Sequence, residues 1–411
     1  MPISFFAFLF SRATTSLAST MFAVSIGWHL YQNSGNPFDL ALVGLMQVAP
    51  IFLFFFATGL VVDTFSRKII LIVSAIATAS IFGTIAMIMA SDNLNLFQIF
   101  LLIFLQGSIK AFYFPAQQAM IPNIVREDLV SRAVSLNATT GKTFGTLGPV
   151  LAGVLISFVD IKVYLISGAL MLASATSYFL LPKLVVAKST GRSLDMLIGG
   201  ISYVRSNPII LGAISIDLFI VMTGSVMALL PVFATDILDV GPESLGVLRA
   251  MPALGGVVVG ALIAFLPAMR QSGACLFIAL LVFSFSILVF SLSTTYWISL
   301  AALFLYGGAD MVSVNIRMTL IQLATPDRLR GRVSTVNSIF ISSSNEMGDV
   351  RAGSAAALLG PVTATMIGSI MAFGVTFLGW RLFPKLSQLD KLIDCIPDEA
   401  KASKGEPNDG K

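Results

Sequence analysis

Long apolar segments follow one another along almost the whole chain, separated by short polar turns. A helix needs about 20 apolar residues to cross a bilayer. The segments that approach or exceed this length cover residues 5–32, 38–62, 69–90, 96–120, 134–158, 163–182, 209–233, 244–267, 274–293, 297–322, 333–357 and 361–383. The breaks between them carry turn-forming pairs such as Asn36-Pro37 and Gly241-Pro242. The pattern therefore predicts an all-α membrane protein with twelve transmembrane helices.

Two longer polar segments interrupt this pattern. Residues 183–208 separate the sixth span from the seventh, and residues 384–411 form a polar tail. Within the first of these segments Leu194, Leu197 and Ile201 recur at helical spacing, which predicts an amphipathic helix lying on the cytoplasmic surface. The predicted organisation is an N-terminal six-helix bundle over 1–182, a cytoplasmic linker over 183–208, a C-terminal six-helix bundle over 209–383 and a cytoplasmic tail over 384–411.

Charged residues are scarce in this chain and unevenly placed along it. Only 11% of the residues are charged, against about 25% in an ordinary soluble domain. When the N-terminus is placed in the cytoplasm, the Lys and Arg residues outside the spans fall in cytoplasmic segments, and the outer loops hold only Lys162. This bias follows the positive-inside rule. We therefore expect a multi-pass protein of the bacterial inner membrane with both termini cytoplasmic, and the net charge of +4 needs no nucleic-acid partner to explain it.

Several classes of protein are disfavoured by residue types that the sequence lacks. One histidine, His29, and two distant cysteines, Cys275 and Cys395, predict neither a metal centre nor a disulfide framework. The sequence contains no nucleophile–base pair and no phosphate-binding loop, so we predict that the protein is not an enzyme, needs no cofactor and draws its energy from an ion gradient. His29 is expected to be an interfacial polar residue beside Trp28 and Tyr31.

Similar residues recur at an offset of 200 positions. Gly107 is matched by Gly307, and Gly148 is matched by Gly348. Several matches at one offset indicate an internal duplication. Six spans followed by six in parallel topology is the architecture of major facilitator transporters, whose substrate site lies between the halves near the bilayer midplane. Charged residues that break this internal symmetry are better functional candidates than residues that obey it.

The turn between spans two and three carries a recognisable motif. Residues 59–68 resemble the major facilitator loop pattern G-x-L-A-D-R-x-G-R-K, with matches at Gly59, Asp63, Arg67 and Lys68. In that superfamily the motif is a cytoplasmic latch that stabilises one access state, and the resemblance implies the same gating role here. An ordinary positive-inside turn is the alternative interpretation.

A second motif lies in span five. Gly148, Pro149 and Gly153 are similar to the helix-packing element G-P-x-x-G-G of many exporters in the superfamily.

Longer segments narrow the resemblance to one branch of the superfamily. Segments that resemble the branch containing the enterobactin exporter and its relatives are 24–31, 214–219, 241–250 and 344–349. The resemblance covers the chain except for its tail. It implies a proton-coupled exporter of a siderophore or similar small metabolite.

Acidic residues within the spans are candidates for binding the coupled proton. A charge near the bilayer centre is costly and usually faces a cavity or a partner. Proton coupling also needs an acid whose protonation responds to burial and to a changing partner. The acids that meet these conditions are Glu346, Asp217, Asp310 and Asp349. Static ion pairs that hold helices together are the alternative interpretation.

Basic and aromatic residues within the spans are candidates for substrate binding. When residues within two positions of a span end are left aside, basic residues outnumber acids there by six to four, which favours an anionic substrate such as a catecholate or carboxylate siderophore. The candidates for the substrate cavity are Lys110, Tyr113, Gln117, Lys142, Arg249, Arg317, Arg351 and Trp28. Arg12 lies near the cytoplasmic end of span one and is expected to snorkel to the interface.

Three transport functions fit these observations. The first is secondary export of a siderophore-like metabolite by alternating access. The alternatives are a broad-specificity drug/proton antiporter and an importer of a metal chelate on the same fold; a non-transporting receptor is the alternative of a different class. We expect a monomer whose partners are a small-molecule substrate, protons and the lipid bilayer.

Overall fold

A computed structural model describes residues 1–91, 95–182, 193–265, 271–390 and 392, and the regular elements assigned among them are all helical. The prediction of an all-α protein is therefore confirmed. The α-helices are α1 (Ile3–Ser34), α2 (Pro37–Leu53), α3 (Phe55–Thr64), α4 (Arg67–Met89), α5 (Leu96–Ile124), α6 (Val130–Val159), α7 (Val163–Tyr178), α8 (Ser193–Ser206), α9 (Pro208–Gly224), α10 (Leu230–Val232), α11 (Pro242–Phe265), α12 (Ser272–Leu292), α13 (Tyr296–Ala324), α14 (Asp327–Leu359), α15 (Pro361–Leu382) and α16 (Pro384–Ser387).

Each of the twelve predicted spans corresponds to one long helix or to consecutive shorter ones. Span two is divided at Phe54 into α2 and α3. Pro50 lies one turn before this break and lacks the N–H that would continue the helical hydrogen bonds. Span seven continues beyond α9 through short turns to Ile237. Eight helical segments of the described chain are apolar and long enough to cross a membrane by length and composition alone, and the twelve-helix arrangement agrees with the fold.

The offset of 200 residues reappears in the packing of the helices. A Cβ atom on Gly107 of α5 would lie 2.8 Å from the carbonyl oxygen of Gln47 on α2. Gly307 on α13 approaches the backbone of Pro252 on α11 even more closely. A larger residue fits neither position unless the neighbouring helix moves. Equivalent helices of the two halves therefore pack closely at matching glycines, as expected after an internal duplication.

A second pair of equivalent glycines makes contacts of the same kind. Gly148 on α6 packs on Thr20 of α1, and Gly348 on α14 packs on Ser225 and on the backbone carbonyl of Val221. The contact between α1 and α6 in the first half thus corresponds to the contact between α9 and α14 in the second.

The contacts divide the chain into two compact units. The first unit contains Met1–Thr190 and Ala228–Ala250, and the second contains Gly191–Met227 and Met251–Lys411. In the first unit α1 packs on α6 and α7, and α4 packs on α5 and α7; in the second α9 packs on α14 and α15, and α12 packs on α13 and α15. The segment Ala228–Ala250 groups with the first unit, although it lies within the predicted C-terminal bundle. The division into bundles over 1–182 and 209–383 is therefore still a prediction.

The linker contains a helix in the part that the structure describes. This helix, α8, packs on α14, where a Cβ atom on Gly200 would lie 2.8 Å from the carbonyl oxygen of Arg332. The Tyr203 hydroxyl donates a hydrogen bond of 2.6 Å to the carbonyl of Ala324. These contacts hold the second half of the linker on the second unit. The rest of the predicted linker, 183–192, and the end of the tail, 393–411, lie outside the described residues.

Candidate functional site

One predicted acid of the second unit forms a buried ion pair with one predicted base. Asp217 on α9 contacts Nη1 of Arg317 on α13 through its Oδ1 atom. The exposed fractions of the two side chains are only 8% and 3%. Both charges are therefore partnered inside the protein, which fits a structural brace between two helices.

Two other predicted acids interact electrostatically with one tyrosine. The charges of Asp310 on α13 and Asp349 on α14 both act on the Tyr306 hydroxyl. The Ser225 hydroxyl donates a short hydrogen bond to Oδ1 of Asp349. Ser225 is placed there because α9 ends at Gly224, so the chain leaves the helix beside α14. The four residues Asp310, Tyr306, Asp349 and Ser225 are called the acid cluster below.

Arg351 lies beside the acid cluster and is held in place by the backbone. Its Nε atom donates a hydrogen bond of 3.0 Å to the carbonyl oxygen of Met222, and its guanidinium interacts electrostatically with Asp349. Gly368 on α15 leaves the necessary space, because a Cβ atom there would lie 3.0 Å from a guanidinium nitrogen. The second unit thus places one cation next to the Asp349 carboxylate.

The first unit contains a polar network that includes two predicted cavity residues. Arg12 donates from Nη1 to Oε1 of Gln117 over 2.9 Å. The Gln117 amide donates in turn to the Tyr113 hydroxyl over 2.5 Å, and that hydroxyl lies 2.7 Å from the hydroxyl of Tyr178. The network joins α1, α5 and α7. We call Arg12, Gln117, Tyr113 and Tyr178 the Arg12 network.

The prediction that Arg12 snorkels to the interface is wrong. The guanidinium turns to Gln117, which is only 1% exposed, and it lies over Gly141 on α6. A Cβ atom at Gly141 would lie 2.5 Å from one guanidinium nitrogen, so the glycine supplies the space that the charge occupies. Position near the end of an apolar segment could not reveal this contact, because Gln117 and Gly141 are more than 100 residues away.

His29 is also partnered, although no acid is adjacent to it in the sequence. Its Nε2 atom lies 2.9 Å from Oδ1 of Asp160, and its Nδ1 atom lies 3.0 Å from the Tyr164 hydroxyl. The imidazole is 6% exposed. Asp160 lies in the turn between α6 and α7, so folding brings it to α1. The histidine joins three helical elements of the first unit.

The basic residues of the predicted gating motif bind carbonyl groups of the neighbouring helices. Arg67 donates from Nη1 to the carbonyl of Ala119 over 2.9 Å. Lys68 donates to the carbonyls of Phe179 and Leu181, at the end of α7, over 2.8 and 2.5 Å. Cations are favourable at helix C-termini, where carbonyl groups lack helical partners. Gly59 and Asp63 lie in α3, but their surroundings are outside the described part of the structure.

The helix-packing motif of span five lies at two close contacts. Gly148 faces α1, as described above. Gly153 packs on the backbone of Pro242 and Glu243, at the start of α11, and the Cα atom of Gly246 lies on the same side. Pro149 contributes its carbonyl oxygen, to which a Cβ atom on Gly246 would come within 2.5 Å.

The remaining candidates are not gathered into either polar group by the contacts described. Lys110 and Lys142 are exposed on α5 and α6, and Trp28 and Glu346 are half-buried on α1 and α14. Arg249 donates from Nη1 to the carbonyl oxygen of Ala23 over 3.3 Å. Among the described residues no group of three or more His, Cys, Asp or Glu side chains could hold a metal ion.

Sequence reasoning missed several residues that complete these groups. Tyr178, Ser225 and Tyr306 are uncharged and lie in apolar or mixed segments, so nothing in the local pattern distinguishes them from packing residues. Arg12 was considered, but a different environment was expected for it. The informative signal was a charge with no like charge 200 positions away. Asp310 and Asp349 both meet this condition, and both lie in the acid cluster.

Comparisons with known proteins identify the family. A family model described as transmembrane secretion effector (MFS_3) matches residues 2–399. The enterobactin exporter EntS of Citrobacter koseri is 22% identical over 411 residues, which cover 97% of this chain and 95% of the exporter. The macrolide efflux protein A of Streptococcus pyogenes is 20% identical over 64% of this chain and 66% of its own.

Other similarities are partial or concern the fold. The chain spans only 56% of the length of an uncharacterised MFS-type transporter, YfiS of Bacillus subtilis, at 23% identity. A bacterial homologue of the iron transporter ferroportin, in an inward-facing state, matches with a TM-score of 0.69 at 16% identity, over 95% of this chain and all of the other. A bacterial homologue of the lysosomal transporter Spinster matches with a TM-score of 0.71 at 12% identity, over 94% and 98%.

These findings confirm the fold and the resemblance, and they support a transporter rather than an enzyme. Because the family model covers almost the whole chain, the chain belongs to the transmembrane secretion effector family of major facilitator transporters.

Proposed function

We propose that the chain is a proton-coupled exporter of a siderophore or a similar small, anionic metabolite, and that it works by alternating access. It lies in the bacterial inner membrane with both termini in the cytoplasm, as the distribution of Lys and Arg suggests. The near full-length similarity to an enterobactin exporter supports the substrate class. The observation that carries the proton coupling is the acid cluster.

The acid cluster has the properties that a proton site needs. The carboxylates of Asp310 and Asp349 both interact electrostatically with the Tyr306 hydroxyl, inside the second unit. Holding two negative charges together in a medium of low dielectric constant is unfavourable, and one bound proton relieves the repulsion. Arg351 interacts with Asp349, so protonation of that carboxylate weakens their attraction. We propose that this change of partner couples the proton to the access state.

The ion pair between Asp217 and Arg317 has a different role in this proposal. Both side chains are buried and each neutralises the other. A proton on Asp217 would leave the Arg317 charge unpartnered in the membrane, which is strongly unfavourable. We therefore assign proton binding to the acid cluster, with Glu346 as a further candidate, and a bracing role to the ion pair.

The motif over residues 59–68 is proposed as the cytoplasmic latch. Arg67 and Lys68 are fixed by carbonyl groups of the neighbouring helices, so the loop has a defined position at the end of α3. Gating would follow if that position differs between access states.

A broad-specificity drug/proton antiporter is the second candidate. The similarity to a macrolide efflux protein favours it, although that match covers 64% of this chain. Import of a metal chelate remains the third alternative on the same fold. Its support is limited to likeness of fold with a ferroportin homologue.

Transport by purified protein in sealed vesicles separates these candidates. The full chain is reconstituted with a pH gradient, and uptake is measured for a catecholate acid (2,3-dihydroxybenzoate), a macrolide (erythromycin) and a lipophilic cation (tetraphenylphosphonium). Export of an anionic metabolite predicts uptake of the catecholate acid that stops when an ionophore collapses the proton gradient. Uptake of the macrolide and the cation alone would favour the drug antiporter. No flux of any compound would overturn the proposal of transport for these substrate classes.

A further inference from the structure

Arg12 is a half-buried cation that the proposed proton mechanism does not use. It lies nine residues after Ile3, the first residue of α1. At 1.5 Å per residue this is about 14 Å along the helix, close to half of the about 30 Å hydrocarbon thickness. Instead of reaching toward the interface, the guanidinium is directed at Gln117 and Gly141.

The protein does not neutralise this charge through its described side chains. The contact of Arg12 with Gln117 joins the guanidinium to a neutral amide. The Nε atom of Arg12 is buried and has no hydrogen-bond partner among the described residues, as is also the case for the Nε atoms of Arg67 and Arg317. The ion pairs identified among the described residues do not include Arg12. A cation within a membrane span that no side-chain anion neutralises is costly unless a bound anion joins it.

The surroundings of Arg12 hold the guanidinium in one orientation. The Gln117 amide is fixed because its oxygen accepts from Arg12 while its nitrogen donates to Tyr113. Tyr113 is fixed in turn by the hydroxyl of Tyr178. Gly141 provides the space beside Nη2 and Nε, because a Cβ atom there would lie 2.5 and 2.6 Å from them. A cation that is oriented by neutral groups and stays partly exposed is suited to binding an anionic oxygen atom.

We propose that Arg12 is a substrate-binding residue that takes a carboxylate oxygen of the transported metabolite, and that Gln117 and Gly141 position it. This inference rests on the proposed function and deepens it by naming the chemical group recognised. It also explains why a glycine lies at 141, since a side chain there would displace the guanidinium.

Binding measurements without any gradient test this assignment. The full-length protein is purified in lipid nanodiscs, and its affinity is measured by calorimetry for 2,3-dihydroxybenzoate and for catechol, which lacks only the carboxylate. The variants are Arg12→Gln, which removes the charge, and Gly141→Ala, which displaces it without removing it. Arg126→Gln is the control, because Arg126 is an exposed cytoplasmic arginine that pairs with Asp128.

The ratio of the two dissociation constants is the decisive readout. We expect the wild type and Arg126→Gln to bind the carboxylate probe at least about tenfold more tightly than catechol, the size of one charge-assisted hydrogen bond. Arg12→Gln should reduce the ratio to near one, and Gly141→Ala should reduce it in part. A bracing role would lower the melting temperature of Arg12→Gln and leave the ratio unchanged, which would overturn the inference.

Failure of this inference and failure of the proposed function give different results. If the wild type shows no preference for the carboxylate probe, or binds neither probe, the anion-binding role of Arg12 is refuted even when gradient-driven flux is intact. If the preference is present and depends on Arg12, the binding role stands even when no proton-driven flux is found. In that case only the proposed proton-coupled transport is refuted.

Discussion

Asp217 on α9 and Arg317 on α13 form an ion pair that is almost completely buried within the second unit. The same two helices contribute Asp310 and Tyr306, from α13, and Ser225, just after α9, to the acid cluster. Asp217 is therefore matched by a buried arginine, while Asp349 accepts a hydrogen bond from Ser225 and interacts with Arg351. We propose that the first acid braces the two helices and that the acid cluster binds the proton.

Breaking the ion pair should destabilise the protein more than replacing it. Arg317→Met leaves the Asp217 carboxylate buried without a counter-charge and should lower the free energy of unfolding by about 3–5 kcal/mol. The double variant Asp217→Leu/Arg317→Met should recover most of the loss, because no charge is then left unpartnered. Melting temperatures of the detergent-purified variants provide the measurement, with Arg126→Met as the exposed control. A double variant as unstable as the single one would contradict the bracing role.

Neutralising the acid cluster should uncouple transport from the proton gradient. Asp349→Asn and Asp310→Asn remove a titratable carboxylate but keep the size of the side chain. We expect both to lose gradient-driven uptake in vesicles while substrate exchange across the membrane in the absence of a gradient continues. Proton release is followed with a pH-sensitive dye trapped in the vesicles. Asp128→Asn, at an exposed position, is the control. Unchanged coupling in both cluster variants would exclude the acid cluster as the proton site.

The glycines at the repeated helix contacts should tolerate no side chain. Gly107→Ala places a Cβ atom 2.8 Å from the carbonyl of Gln47, and Gly307→Ala meets the backbone of Pro252. Overpacking of this kind costs about 1–3 kcal/mol. The control is Gly83→Ala, because a Cβ atom there would meet nothing within 4 Å. We expect lower melting temperatures for the first two variants only. Equal melting temperatures for all three would refute the packing constraint.

Lys68 should stabilise the chain at the end of α7. Its ammonium group donates to the carbonyls of Phe179 and Leu181. Lys68→Met removes both hydrogen bonds and keeps much of the aliphatic chain, so amide hydrogen exchange should accelerate over residues 176–182. Lys68→Arg should restore most of the protection, because it retains the charge and the donors. Protection that is the same in Lys68→Met and the wild type would show that the contact does not order this turn.

The helices were predictable from the sequence because lipid imposes a simple rule on their composition. A span must be long and apolar, and the breaks must carry turn residues, so local composition suffices to place the helices. Gly107 and Gly307 could likewise be paired, because the duplication preserves their spacing. The partners of polar residues follow no such local rule. Gln117, which holds Arg12, lies 105 positions away from it, and Asp160, which binds His29, lies 131 positions away.

The sequence by itself determined the membrane class, the twelve spans, the family and the short set of charged residues within the spans. Only the tertiary structure decided which of those charges are paired. It joined Asp217 to Arg317, gathered Asp310 and Asp349 around Tyr306, and turned Arg12 inward against Gly141. The physical reason is that the cost of a charge in the membrane depends on its nearest partners, and in a helical bundle those partners come from other helices.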